Sequence, residues 1–141
     1  MNPDVLEYVK GERVCVLALE MMDGSPHAAT VHFANTDGPI FVFETNRTYR
    51  KSEPLFGKKT TRASLVIGST ESTKKTLQLD GEAKLLGDDS VQLRETYLKK
   101  FPDKTGKLDG PDVVLFSFTP TWWRFTDWTK PKGSQILTST D

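Results

Sequence analysis

The sequence predicts a mainly β fold with flanking helices, an α+β arrangement of about seven antiparallel strands closed as a barrel. Short runs dense in β-branched, aliphatic and aromatic residues recur along the chain. Turn signals separate them, chiefly Asp23-Gly24 in "MDGSP" and the following "NTDGP". Strands joined by such short turns favour closure, which removes exposed edges. The length of 141 residues suits one domain. A domain of about 150 residues buries roughly 68–70% of the surface its unfolded chain exposes, enough for a real core.

Residues 2–12, "NPDVLEYVKGE", read as a short first helix. Val5, Leu6, Tyr8 and Val9 make its apolar face, Asp4 serves the amino end and Gly11 stops it. "RVCVLALEM" (13–21) is a buried strand, "HAATVHFA" (27–34) a second and "IFVFET" (40–45) a third. Two successive turns of this chemistry imply an antiparallel meander. A short helix is expected around Glu53–Lys58, with Ser52 as its cap and Pro54 tolerated in its first turn. "RASLVIG" (62–68) is a fourth strand. "TLQLDGEAKLL" (76–86) is a fifth, alternating at Leu77, Leu79 and Ala83. "VQLRETYLKKF" (91–101) is a longer helix, with Val91, Arg94/Glu95, Leu98 and Phe101 at helical spacing. Asp88, Asp89 and Ser90 stand at its amino end, Lys99 and Lys100 at its carboxyl end, in the order the helix dipole favours. Pro102 ends it. "VVLFSFTP" (113–120) and "TWWRFTDW" (121–128) are two closing strands, broken at Thr119-Pro120. The remainder, "TKPKGSQILTSTD", has little to bury and is expected to be a loose tail.

Composition narrows the function. Nineteen acids balance nineteen bases, so the bulk field does not favour polyanions. Cys15 is the only cysteine and sits in the apolar run "VCVLAL", which indicates a small core residue and a reducing compartment. The longest apolar run is about six residues, against the roughly 20 a spanning helix needs, so a cytoplasmic protein is expected. Nucleotide-loop, CxxC and HExxH patterns are absent. His27 and His32 are the only histidines, and their odd separation points them to opposite faces of a strand, which argues against a metal pair. Asp88-Asp89 is expected to cap a helix rather than bind metal.

Two segments carry chemical interest. Between positions 46 and 62 stand Arg47, Arg50, Lys51, Lys58, Lys59 and Arg62, against the single acid Glu53. Thr45 lies where the third strand ends, with Arg50 and Lys51 at or near a helix start. A hydroxyl, a guanidinium, an ammonium and free backbone N–H groups can converge there on one phosphate. The competing reading is that these cations simply face water on a connection. The second segment, "TWWRFTDW", puts Trp122, Arg124, Thr126 and Trp128 on one face of a strand and Trp123, Phe125 and Asp127 on the other. Large aromatics on both faces suit a barrel core, a partner chain or a flat ring ligand. Arg124 is placed to pair with Asp127 or to reach an anion.

Taken in order, "DGSPHAATVHF", "FETNRTYRKS" and "LDGEAKLL" resemble motifs of the pyridoxamine 5′-phosphate oxidase-like, FMN-binding split-barrel superfamily. "WWRFTDW" resembles the closing strand of its small general-stress-protein-like members. The resemblance runs from about Arg13 to Pro102. It implies a six-stranded split barrel in residues 1–128, with 129–141 a flexible tail, acting as a homodimer with flavin at the subunit interface. It further implies that Thr45, Arg50 and Lys51 hold the flavin phosphate, with Tyr49 beside them. Strand 27–33, including His27, Thr30, Val31 and His32, would line the ring. Thr76 falls near a glutamine of the oxidases, and Trp122, Trp123 and Arg124 flank the ring. Several positions depart from the oxidase pattern. "AATVHFA" lacks the oxidases' Arg and Lys, Glu44 replaces a tyrosine, and Tyr49 replaces a serine. The long carboxyl-terminal region with its substrate arginine is missing. These differences argue against pyridoxamine phosphate oxidase activity itself.

The leading expectation is an FMN-dependent oxidoreductase or flavin-binding protein in which the flavin carries the chemistry. Deazaflavin F420, haem or no cofactor are the alternatives on the same fold. A non-enzymatic barrel that stacks single-stranded nucleic acid on its tryptophans is the alternative from another class, and the balanced charge weighs against it.

Overall fold

A computed structural model describes residues 1–68, 70–87, 90–130 and 133–139. In chain order the elements are α1 (Pro3–Gly11), β1 (Val14–Glu20), β2 (Pro26–His32), β3 (Ala34–Asn35) and β4 (Phe41–Asn46). Then follow α2 (Glu53–Lys58), β5 (Thr60–Ile67), β6 (Lys75–Leu85), α3 (Val91–Lys100), β7 (Val113–Asp127) and β8 (Gln135–Thr138). A single antiparallel sheet runs in the order β2-β1-β5-β6-β7-β4-β3, with β8 added beside β7. This is the mainly β barrel with flanking helices that the sequence predicts.

Period-two alternation builds the core. Cys15, Leu17 and Leu19 of β1, Ala63, Leu65 and Ile67 of β5, and Leu77, Leu79 and Ala83 of β6 all point inward. Phe41 and Phe43 of β4 meet Phe116 and Phe118 of β7, and the Phe43 and Phe116 rings stack at 4.9 Å. Each such side chain contributes about 1.5–3 kcal/mol on full burial. Helix α1 adds Val5 and Val9 to this core. A second cluster lies on the other face of β3 and β4, where α3 packs Tyr97 and Phe101 against Ala34 and Val42.

The curl of the sheet brings β2 and β4 into contact, but they form no ladder. After His32 the chain leaves β1, and Ala34 and Asn35 pair with Val42 and Phe41. The barrel is therefore joined at its β3–β4 end. Continued toward β2, that register would oppose His32 to Glu44, Val31 to Thr45 and Thr30 to Asn46. No such pairs form among the described residues, so the barrel is split along this stretch.

Several elements differ from the sequence reading. Asn2, not Asp4, caps α1: its Oδ1 accepts from the Asp4 N–H at 2.8 Å. Ser52 precedes α2 but does not cap it; its hydroxyl donates to the Asn46 carbonyl at 2.8 Å. Asp88 and Asp89 lie outside the described residues. The buried face of α3 is led by Tyr97 and Phe101, four apart, while Val91 is 55% exposed. Residues 113–128 do not form two strands. β7 runs unbroken through Pro120, because the β6–β7 register shifts between Asp80 and Gly81 and leaves Thr121 as the extra residue. A proline without an N–H is accommodated at such a bulge. The expected loose tail contains β8, which pairs with the far end of β7 from Arg124 to Asp127. Asp127 is bonded by Thr129 and lies 3.9 Å from Lys130, so it does not pair with Arg124.

Gly81 is required at the bulge by close approach. A Cβ there would fall on the Thr119 carbonyl oxygen and 2.9 Å from Pro120 Cα, both backbone atoms. Gly81→Ala should destabilise the fold by about 1–3 kcal/mol through overpacking, whereas Gly11→Ala, with open space around its Cβ, should not. Urea unfolding of the two variants measures this.

Candidate cofactor cleft

Where the barrel is split, a cleft of about 290 Å³ opens. Its walls are the residues that a continued ladder would have paired: Thr30, Val31 and His32 on β2, and Glu44, Thr45 and Asn46 on β4. Tyr49, Lys51, Tyr97 and Val113 complete the lining. The bend after β4 is shaped by Asn46. Its Oδ1 accepts from the Thr48 N–H and hydroxyl at 2.9 and 2.6 Å, and its carbonyl accepts from the Tyr49 N–H and the Ser52 hydroxyl. This local folding turns Tyr49 and Lys51 back toward the cleft.

Thr45 Oγ1 is buried there without a partner, and Tyr97 OH is buried beside the Glu44 carboxylate. A buried polar atom left unsatisfied costs about 1–3 kcal/mol, so Thr45 Oγ1 implies a group to bond. Burial, then the negative charge of Glu44 and hydrogen bonding to it, raise the Tyr97 pKa well above the ordinary tyrosine value, so this hydroxyl stays protonated and directed at Glu44. Lys51 has no carboxylate partner among the described residues. Its ammonium lies 4.6 Å from the Tyr49 ring centre, and burial lowers its pKa. Glu44, the one acid in the lining, pairs with Lys104 at 2.6 Å, both side chains being largely buried. The donor set thus offers one free hydroxyl and one uncompensated cation to an anion. It fits an anionic cofactor tail.

The structure brings together six of the sequence-derived candidates, Thr30, Val31, His32, Thr45, Tyr49 and Lys51. It separates the others. His27 sits opposite Leu19 at the far end of β2. Arg50 is exposed in a different hollow with Arg47 and Phe56. Thr76 faces Thr126, with its hydroxyl 3.4 Å from the Gly68 carbonyl. Trp122, Trp123 and Arg124 occupy the half of β7 beyond the bulge, away from the part that pairs with β4. Three of the six cations in the basic segment are engaged: Arg47 with Asp112, and Lys58 and Arg62 with Glu20. Tyr97 and Lys104 were not singled out from the sequence. The Tyr97/Phe101 spacing of four was the available signal for the first. No cluster of three or more metal-ligating side chains occurs among the described residues. No helix among them is long and apolar enough to cross a membrane. A hollow of about 500 Å³ over the outer sheet face is larger, but its polar groups already pair, Arg62 with Glu20 and Ser64 with Asp80.

Residues 1–127 match the family described as pyridoxamine 5′-phosphate oxidase, and the chain belongs to that family. No curated protein matches it. Among solved structures, a putative general stress protein 26 from Jannaschia sp. CCS1 is 16% identical, with a TM-score of 0.72 over 94% of this chain and 93% of that one. A pyridoxamine 5′-phosphate oxidase-related, FMN-binding protein from Nostoc punctiforme is 13% identical, with a TM-score of 0.71 over 98% and 90%. A haem-binding protein from Mycobacterium smegmatis is 18% identical, with a TM-score of 0.70 over 98% of this chain. This chain spans only 59% of that protein's length. At these identities the likeness shows the shared split-barrel fold.

The Glu44–Lys104 pair has a measurable consequence. Lys104→Met leaves a largely buried carboxylate unpaired and should cost about 1–3 kcal/mol in urea unfolding. Adding Glu44→Gln should recover part of that loss.

Proposed function

We propose that the chain is a flavin-binding split-barrel protein acting as an oxidoreductase, with FMN held in the cleft and a second copy of the chain covering it. The observation that carries this reading is the buried, unpartnered Thr45 Oγ1 beside the unpaired Lys51 in the split of the barrel. Thr45 and Lys51 hold the phosphate. Thr30, Val31 and His32 present a strand edge, paired on one side only, to the ring. Lys104 neutralises Glu44 and so keeps the cleft open to an anion. Arg50, exposed outside the cleft, gives longer-range attraction only. The bound flavin supplies hydride and electron transfer. The cleft's size supports a homodimer: about 290 Å³ is just under the roughly 300–1,000 Å³ typical of ligand pockets, so a second copy would complete the site. The half-buried Trp122, remote from the cleft of its own chain, is available to flank the ring bound by another copy, whereas Trp123 packs against its own barrel core.

One observation favours a second ligand. His32 lines the same cleft, its imidazole set edge-on to Phe101 at 5.4 Å, and the Mycobacterium smegmatis structure is of a haem-binding protein. Titration with FMN, FAD, F420 and haem separates these readings. FMN should bind, and Lys51→Met should weaken it by about tenfold to a hundredfold, the value of a charge-assisted bond. Arg50→Ala should weaken it less. An equal affinity of Lys51→Met and wild type for FMN would refute the grip, and tight binding of haem alone would transfer the site to the second reading.

A further inference from the structure

A separate cleft of about 490 Å³ lies between α3, the end of α1 and the turn after β3, and shares no residue with the split in the barrel. Lys10, Lys99 and Lys100 line it. Lys10 is neutralised by Asp37 at 2.7 Å. Lys99 and Lys100 have no carboxylate within ion-pair distance among the described residues.

Lys100 is half-buried, in an unusual setting for an amine. Its Nζ donates to the Glu12 carbonyl and lies 4.2 Å from the centre of the Phe33 ring. The guanidinium of Arg13 lies over the neighbouring Phe101 ring at 4.7 Å. Burial, and then the like charge of Arg13, lower the Lys100 pKa to about 8. Glu12 opposes that shift without pairing with the amine. Cys15, whose thiol burial pushes up to about 12, also opposes the shift. Relative to an ordinary lysine, a larger share of the amine is neutral at pH 7. A desolvated lysine beside a second cation is the setting in which lysines act as nucleophiles toward carbonyl groups.

We propose that Lys100 is a covalent capture site for small anionic carbonyl compounds, the chemical class of oxo acids, with Lys99 holding the carboxylate. The neutral Nζ adds to the carbonyl carbon and a C–N bond forms. The carbonyl oxygen leaves as water with the two amine hydrogens, and an imine remains. No oxidant or reductant is consumed.

The test uses the full-length protein, glyoxylate and cyanoborohydride at pH 7. The hydride donor reduces the imine to a stable secondary amine, and peptide mapping locates it. Lys100 should label at least about tenfold faster than exposed lysines such as Lys107 and Lys130, and urea should abolish the preference. Lys99→Met should slow labelling by glyoxylate but not by neutral propionaldehyde. Lys100→Arg, which keeps the charge, should lose the fast site and leave the other lysines unchanged. If wild-type Lys100 labels no faster than Lys107 and Lys130, the proposal is overturned. An unchanged glyoxylate rate in Lys99→Met would remove the preference for anions. None of these readouts depends on flavin binding.

Discussion

The organising constraint of this molecule is a sheet that curls until its two ends touch and then joins along only part of their length. Ala34 and Asn35 complete the circuit with Val42 and Phe41. A few residues further, the same two strands part. Backbone groups that would have satisfied each other face a gap, and the Thr45 hydroxyl is buried beside it without a partner. Elsewhere the strand ladders and the apolar core leave little unsatisfied. The unmet hydrogen-bonding capacity therefore gathers where a ligand can use it.

Charge follows the same geography. Glu20 takes both Lys58 and Arg62 on the outer sheet face, and Asp112 takes Arg47. Those contacts brace the connection between β4 and β5. Lys51 is left uncompensated, and Lys104 cancels the one acid of the cleft. Of the six cations, three form bracing pairs, Arg50 and Lys59 form no ion pair among the described residues, and Lys51 is the one that lines the gap. Local net charge is therefore a poor guide to the charge that reaches the cleft.

Much of the barrel was legible in the sequence because its signals are local. Alternation at Leu77, Leu79 and Ala83 and the Asp23-Gly24 turn each depend on a few neighbouring residues. The continuity of β7 through Pro120 was not legible, since the bulge that accommodates it is made with Gly81 on another strand. Likewise β8 forms because β7 offers it an edge, which composition alone does not report. That Thr45 and Lys51 would lie close together was legible from their positions at the end of a strand and the start of a bend, and the resemblance pointed to the stretch from Thr30 to His32 that lines the same cleft. The separation of Arg50 from Lys51 was not, because it depends on how a single turn after Asn46 directs adjacent side chains. Tyr97 was missed for a similar reason: the face a helix buries is set by what it packs on, here Ala34 and Val42.

The most direct measurement is a crystal structure of the protein grown with FMN. The account predicts the phosphate within hydrogen-bond distance of Thr45 Oγ1 and Lys51 Nζ, and the ring along Thr30, Val31 and His32 with a second copy of the chain closing over it. A structure with the flavin bound elsewhere, or with the Thr45 hydroxyl satisfied by water in a cleft that FMN does not enter, would contradict it.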